Sequence, residues 1–310
     1  MESSRYRAFL ASVETGSFTK AAERLNYTPS GVYQLVNALE RDMGFPLLLR
    51  DKKGVKATTN GEKVLLVIRE LLRQEERLNQ LASEINGLAT GKITIGAYSS
   101  IASHWLPSVI KGFTEAYPKI EIHLMEGIWN ENQEWLDSKI VDFAFFSYKY
   151  GMRYDWIPLR KDPMIAVLPL NHPLAHQDTY PLENCQYEKF IMPGLSRDDD
   201  VLELFKRNHI SPQVVFSTLE NFSAMAMIEQ GMGMSIMNDL ITHRWNFNVV
   251  KLPLDPPQSI DLGIAISSIK NASPAAKRFI DYAVQQLRKT PGPSSNGHAA
   301  SSVRASETDN

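Results

Sequence analysis

Over its first 47 residues the chain sets apolar side chains at helical spacing and interrupts them with residues that end helices. Phe9, Leu10 and Val13 predict a first helix that Gly16 terminates, and Ser17 is suited to N-cap a second over 18–25. After the short turn Asn26-Tyr27, Thr28 followed by Pro29 predicts an N-cap and a first helical position, because proline there forfeits no hydrogen bond. Along the third helix Val32, Val36, Leu39 and Met43 share one face, while Ser30, Tyr33, Gln34, Asn37 and Arg41 share the other. Two such faces suit a helix-turn-helix, whose third helix offers polar side chains to base edges, and also suit a surface helix of a small helical domain. Strands over 47–50 and 55–58, joined by Asp51-Lys52-Lys53-Gly54, predict a β-hairpin with a basic tip, the wing that in such domains reaches the phosphate backbone.

Between Gly61 and Gly87 there is no proline, and Val64, Ile68, Leu71, Leu78, Ala82 and Ile85 recur at three- and four-residue steps, broken at Glu75. That seam predicts a long helix paired with a second copy of itself; packing onto the rest of its own chain is the alternative. Past Gly91 strands alternate with helices: strands over 93–98, 120–125 and 142–147, and helices over 101–117 and 131–139. A second set has strands over 164–168, 190–192, 214–217 and 234–237 and helices over 198–208 and 219–230, and a strand over 262–267 with a helix over 274–287 closes the first set. Alternation of this kind implies parallel sheets with crossover helices. Residues 290–310 lack apolar periodicity and are rich in small polar types, so a disordered tail is expected there. The expected organisation is a DNA-binding domain over 1–60, a linker helix over 61–90, an effector domain over 91–289 and the tail.

With 310 residues, 43 % of them hydrophobic and 22 % charged, the chain fits two or three ordinary globular domains. Cys185 stands alone, which rules out an intramolecular disulfide framework and fits a reducing compartment. No apolar stretch follows the N-terminal charges and no run of about eighteen apolar residues occurs, so a cytoplasmic chain with no membrane partner is expected. The net charge of -2 argues against a bulk polyanion binder, yet residues 1–60 hold nine basic against six acidic side chains, with Arg50, Lys52, Lys53 and Lys56 grouped together.

Each motif that could carry catalytic chemistry is incomplete in this sequence. His172 and His176 have helical ligand spacing, but Pro173 forbids the regular helix that would bring both rings to one metal. Gly87-Leu88-Ala89-Thr90-Gly91-Lys92 is one spacer short of a P-loop and precedes a strand instead of following one. Gly231-Met232-Gly233 lacks the third glycine of a dinucleotide loop, and no G-x-S-x-G elbow occurs. Asp198-Asp199-Asp200 reads as acidic residues in a helix's first turn, not as metal ligands. The expectation is no enzyme and no cofactor.

In open α/β sheets ligands sit beyond the carboxyl ends of strands, where helices begin. Ser99-Ser100 and Ser217-Thr218 occupy such positions, and two facing helix starts would favour a small anion such as a carboxylate, although the same hydroxyls serve equally as helix caps. Trp129, Phe146 and Arg197 fall in segments read as loops, able to line the cleft or to serve structure alone.

Several stretches together resemble the LysR-type transcriptional regulators: Ala8-Phe9, Gly16 through Leu25, Ala38-Leu39-Glu40, Gly44 through Arg50 and Thr59-Asn60-Gly61-Glu62. Asp162-Pro163, His172-Pro173-Leu174-Ala175 and Gly231 through Ser235 extend the resemblance into the second half. It implies an α/β protein with an all-α winged helix-turn-helix head, a dimerising linker helix and a two-lobed effector domain of the periplasmic-binding-protein-like type II class. Homotetramer assembly, double-stranded DNA with a dyad-like operator, a small-molecule effector contacted by Ser99, Ser100 and Thr218, and RNA polymerase for an activator are what such a protein would meet. The family's usual Ser-Gln-Pro or Ser-Gln-Ser entering the third helix is replaced by Thr28-Pro29-Ser30, and a serine position by Tyr33, so base preference should not carry over. DNA contacts are expected from Thr28, Ser30, Tyr33, Gln34, Asn37, Arg50, Lys52 and Lys53. A solute-binding module and an enzyme with an accessory DNA-binding domain remain as alternatives.

Overall fold

The computed structural model describes residues 2–51, 54–87, 89–194, 199–243 and 246–289, so Lys52, Lys53, Arg197 and the expected tail lie outside the described residues. Helices α1 (Glu2–Thr15), α2 (Phe18–Leu25) and α3 (Pro29–Met43) are followed by strands β1 (Leu48–Asp51) and β2 (Gly54–Ala57), which pair antiparallel as the wing. The caps are the expected ones: Ser17 accepts from the Lys20 N–H at 3.4 Å and Thr28 from the Gly31 N–H at 3.1 Å. Val32, Val36 and Leu39 join Phe9, Ala22 and Leu47 in a buried core, each large side chain contributing about 1.5–3 kcal/mol by leaving water. Wing and helical turn touch backbone to backbone, the Val55 N–H donating to the Gly16 carbonyl at 2.9 Å. A Cβ on Gly54, whose φ is +127°, would lie 2.5 Å from that carbonyl oxygen, so only glycine fits.

The long helix α4 (Thr59–Ile85) departs from the expected seam. Leu65 and Ile68 are buried in the head's core, with Val64 packed against it, because the first turns of α4 close over α1 and the wing. The exposed apolar stripe is Val67, Leu71, Leu78, Leu81 and Ile85, with Val67 and Ile85 at its two ends 60 % and 85 % exposed. With Gln74 between Leu71 and Leu78, those positions alternate steps of four and three, the spacing of a coiled-coil seam, shifted from the one read from sequence. The opposite face of α4 meets the effector domain through Arg69, Arg73 and Gln80.

Lobe 1 is built from β3 (Gly91–Ala97), α5 (Ser99–His104), α6 (Leu106–Ala116), β4 (Ile120–Glu126), α7 (Trp129–Asp137) and β5 (Phe143–Ser147). The single helix expected over 101–117 is broken at Trp105, since Pro107 has no N–H to give and its ring opposes the carbonyl four residues earlier. From lobe 1 the strand β6 (Asp155–Pro169) passes into lobe 2, which contains β7 (Tyr180–Pro181), the 3-10 helix Leu182–Tyr187, β8 (Lys189–Met192), α8 (Asp199–Arg207), β9 (Gln213–Ser217), α9 (Asn221–Glu229), β10 (Ser235–Asn238) and the 3-10 helix Asp239–Thr242. The chain then returns along β11 (Val249–Ile266), and α10 (Pro274–Lys289) packs back on lobe 1.

The main sheet runs β10-β6-β11-β5-β3-β4. Parallel pairing holds where crossover helices were expected, for β3 with β4 and β5 and for β8 with β9. It fails for β6 and β11, which are antiparallel from Pro169 opposite Val249 to Asp155 opposite Ile266. Two passes of one chain through the same hinge in opposite directions have no other way to pair. The register shift between Pro253 and Gln258 marks the crossing between the lobes, each of which has its own buried core. Among the described residues no helix is long and apolar enough to cross a membrane.

Candidate functional site

Two regions carry the residues singled out by the sequence. On α3, Tyr33 and Gln34 are exposed, opposite the buried Val32, Val36 and Leu39. Thr28 and Ser30 are exposed at its start, their hydroxyl oxygens 3.2 Å apart. The Arg50 guanidinium lies 4.8 Å above the Tyr33 ring, which itself meets Phe18 edge to face. Arg50 also donates to Asn37 Oδ1 at 2.7 Å and to Glu40 Oε2 at 2.6 Å, while Glu40 Oε1 accepts from the Leu47 and Leu48 N–H groups at 2.8 and 3.0 Å. One carboxylate thus fastens the wing to the third helix and aims the arginine along the polar face. Phe18 and Glu40 were not anticipated as organisers; the i, i+3 spacing of Asn37 and Glu40 is the signal that was available. Gln34, an amide on a free helix face, has the donor and acceptor pair that reads adenine.

The second region is the cleft between the lobes. Ser99 is exposed and Ser100 buried at the first positions of α5, whose N-cap is Tyr98 and which is only six residues long. Neither serine caps the helix. Trp129 opens α7 and donates from Nε1 to the Ser147 carbonyl at 3.2 Å. Phe146 is in β5, not in a loop: it is fully buried behind Tyr98 and Trp129, with ring centroids at 6.4 and 6.0 Å, and supports the cleft wall from inside. Thr218 is half-buried and donates to the Glu220 carbonyl at 3.1 Å; because α9 begins only at Asn221, Thr218 stands ahead of the helix start that was expected beside it.

What crosses the cleft is a set of residues that sequence reasoning passed over. Asp200, in the first turn of α8, accepts from the Ser147 hydroxyl at 2.7 Å and from the Tyr98 hydroxyl at 3.1 Å. The Lys149 ammonium is 3.1 Å from Asp200 Oδ1 and 3.1 Å from Glu203 Oε2, and 5.8 Å from the centre of the Trp129 ring. Burial opposes the charge on Lys149, but the two carboxylates outweigh it and hold its pKa above the ordinary lysine value. Ser147 and Lys149 sit at the carboxyl end of β5, so the strand-end rule that pointed to Ser99 and Ser100 applied to them as well.

The hinge carries a second buried acid. Asp162, on β6 at the crossing, accepts from the Asn238 amide and, at 3.2 Å, from the Leu240 N–H. Burial pushes its carboxyl up to about 6, against the lowering effect of those hydrogen bonds; Asp239 adds to the rise and His243 opposes it. Lobe 1 is tied to the linker helix by Arg73, which pairs with Asp142, and by Gln80, whose Oε1 accepts from the Ala275 N–H at 3.2 Å in the first turn of α10. The lone Cys185 is buried, and burial pushes its thiol up to about 12, so its thiolate is disfavoured. Among the described residues no cluster of three or more metal-ligating side chains occurs.

Two family models match the chain: the bacterial regulatory helix-turn-helix protein of the lysR family over residues 4–62, and the LysR substrate binding domain over residues 86–288. The HTH-type transcriptional regulator YvbU of Bacillus subtilis is 32 % identical over 286 residues, covering 91 % of this chain and 98 % of its own. Full-length OxyR from Pseudomonas aeruginosa superposes with a TM-score of 0.74 at 20 % identity, covering 93 % of this chain and 95 % of that one. The effector binding domain of QuiR, solved with shikimate, has a TM-score of 0.57 at 24 % identity and covers 64 % of this chain and 98 % of that domain. At those identities the two solved structures speak to fold alone.

Proposed function

Starting from a chain that belongs to the LysR family of DNA-binding transcriptional regulators, we propose that its cleft takes a small anionic effector and that the lobe arrangement this selects is passed through α4 to the DNA-binding heads. The observation that carries the DNA half is the division of α3 into a buried apolar face and an exposed face presenting Tyr33 and Gln34, with Arg50 held at its edge. Thr28, Ser30, Tyr33, Gln34, Asn37 and Arg50 contact the duplex, and Lys52 and Lys53 at the wing tip neutralise phosphates. The exposed stripe of α4 pairs two chains, which sets two recognition helices on successive major grooves and calls for a dyad-like operator. Assembly to a tetramer, cytoplasmic residence, DNA bending and contact with RNA polymerase by an activating form complete the reading.

The effector half is supported by the chemistry gathered where the lobes meet: hydroxyls at Ser99 and Ser100 opening α5, the Tyr98 hydroxyl and the Lys149 ammonium on Asp200 of lobe 2, and the Trp129 indole beside Lys149. Ser100, Trp129, Thr218 and Arg197 are assigned to that site, with Phe146 as support. QuiR binds shikimate, a carboxylate, in a domain of the same fold. A ligand with unequal affinity for two lobe arrangements shifts their populations, and the α4 contacts of Arg73 and Gln80 with lobe 1 carry the shift to the head.

Selection of bound genomic fragments, followed by footprinting and salt titration, tests this reading. The expected result is a pair of half-sites about one helical turn apart and an affinity that falls steeply with salt. Ser100→Ala lowers the response to an effector far more than it lowers DNA affinity. Salt-insensitive or absent duplex binding points instead to a solute-binding module.

A further inference from the structure

The groups that meet Asp200 have the makeup of an anion site. Three donors of lobe 1 converge on one carboxylate of lobe 2: the Ser147 hydroxyl at 2.7 Å, the Tyr98 hydroxyl at 3.1 Å and the Lys149 ammonium at 3.1 Å. Tyr98 and Ser147 are themselves 2.9 Å apart, and each hydroxyl has a single proton. If Tyr98 gives its proton to Ser147, Ser147 still gives its own to Asp200. In either arrangement the acceptor is the carboxylate. The side chains of Lys149 and Asp200 are 14 % and 11 % exposed, so the pair is largely withdrawn from water, where charge contacts are stronger and an unpartnered charge is more costly. These donors are the same kind that a bound carboxylate would require, and they stand beside Ser100 and Trp129 at the strand ends of lobe 1.

We infer that Tyr98, Ser147 and Lys149 form an anion subsite whose resident is the Asp200 carboxylate, and that the effector is an organic carboxylate which competes with Asp200 for it. The inference rests on the effector reading of the cleft and adds an internal competitor to it. Lys149 is already shared with Glu203 at 3.1 Å, but the Ser147 and Tyr98 hydroxyls have one proton each and are committed to Asp200, so an entering carboxylate takes them only by displacing it. A carboxylate that enters therefore detaches Asp200, and with it the first turn of α8, from lobe 1. Occupancy of the subsite and release of the Asp200 tie between the lobes are one event, which supplies the differential affinity that a ligand-driven change requires. Asp200 then sets the concentration at which the regulator responds.

The test is acetate binding to the full-length protein, followed calorimetrically at constant ionic strength with chloride as the balancing anion. Asp200→Asn keeps the size and removes the competing charge, so it binds acetate about tenfold or more tighter than the wild type. Adding Lys149→Met to that variant abolishes the gain. Hydrogen exchange over α8 rises in Asp200→Asn because the tie to lobe 1 is weakened. Equal acetate affinity for wild type and Asp200→Asn, including no binding by either, overturns the inference. So does a gain that survives Lys149→Met, or unchanged exchange over α8. Failure of the underlying cleft reading shows elsewhere, as an effector response that Ser100→Ala leaves untouched whatever Asp200 does.

Discussion

In the head, the residues that fasten wing to recognition helix are near neighbours in the chain: Arg50 reaches Asn37 across thirteen positions and Glu40 across ten. In the cleft, Tyr98 reaches Asp200 across 102 positions and Ser147 reaches it across 53. The head therefore assembles with its own small core and presents one geometry. The cleft exists only as far as β6 and β11 hold two separately cored lobes in register, so whatever biases the lobes remodels the site. The proposed function matches that contrast, with a reader of one geometry carried by a domain whose lobes the effector rearranges.

The strongest way to break the contrast is to remove the head's core. Leu39→Ala should cost about 2–5 kcal/mol by opening a cavity and should abolish specific DNA binding. Calorimetry should then show the head unfolding separately below an unshifted effector-domain transition; a single lowered transition would mean that the two regions fold as one unit.

On the cleft side, Asp162 makes a prediction about pH. Its folded pKa of about 6 lies above the ordinary 3.8, so between those values the folded chain binds more protons than the unfolded chain. Stability from this group is greatest at low pH and declines as pH rises through about 6, with a total effect of about 1–3 kcal/mol. Urea unfolding between pH 5 and 7.5 should show that component, and Asp162→Asn should remove it. The unfolding of an isolated head, which lacks the hinge, should not change when Asp162 does.

Glu40→Ala sharpens the comparison from the other direction, because it leaves the Leu47 and Leu48 N–H groups and Arg50 without their shared acceptor. A loss of about 1–3 kcal/mol is expected, with looser wing exchange and weaker DNA binding but an unchanged effector affinity. The smallest effect is in Gln34→Ala: the fold is retained, and discrimination between operator bases at one position falls by about 1–2 kcal/mol in competition binding. If affinity drops equally on all sequences instead, Gln34 contacts phosphate and not base edges.

How much of this could be read in advance differs between the two regions for the same reason. The three helices, their caps and the wing followed from spacing and from Ser17, Thr28, Pro29 and Gly54, since each depends on neighbours within a few positions. Only the apolar ends of the long strands β6 and β11 are legible in the sequence, because Pro158, Pro163, Pro253 and Pro256 look like strand breaks; Pro158, Pro253 and Pro256 fall at register shifts, and Pro163 pairs in register with Ser259. In α4, helical periodicity was clear, but the assignment of Val64 and Ile68 to a dimer seam failed because two apolar faces on one helix look alike until the head claims one of them.

The sequence by itself determined the local units: where helices begin and end, which face of α3 is apolar, and which family the whole resembles. Only the tertiary structure decided that Asp200 meets Tyr98, Ser147 and Lys149, that Phe146 backs the cleft from within, and that the free stripe of α4 runs through Val67 and Leu81. The physical reason is range. Helix propensity, capping and periodicity act over a few residues of chain, whereas a carboxylate finds its hydroxyls and ammonium only after two lobes have been brought together by strands that cross between them.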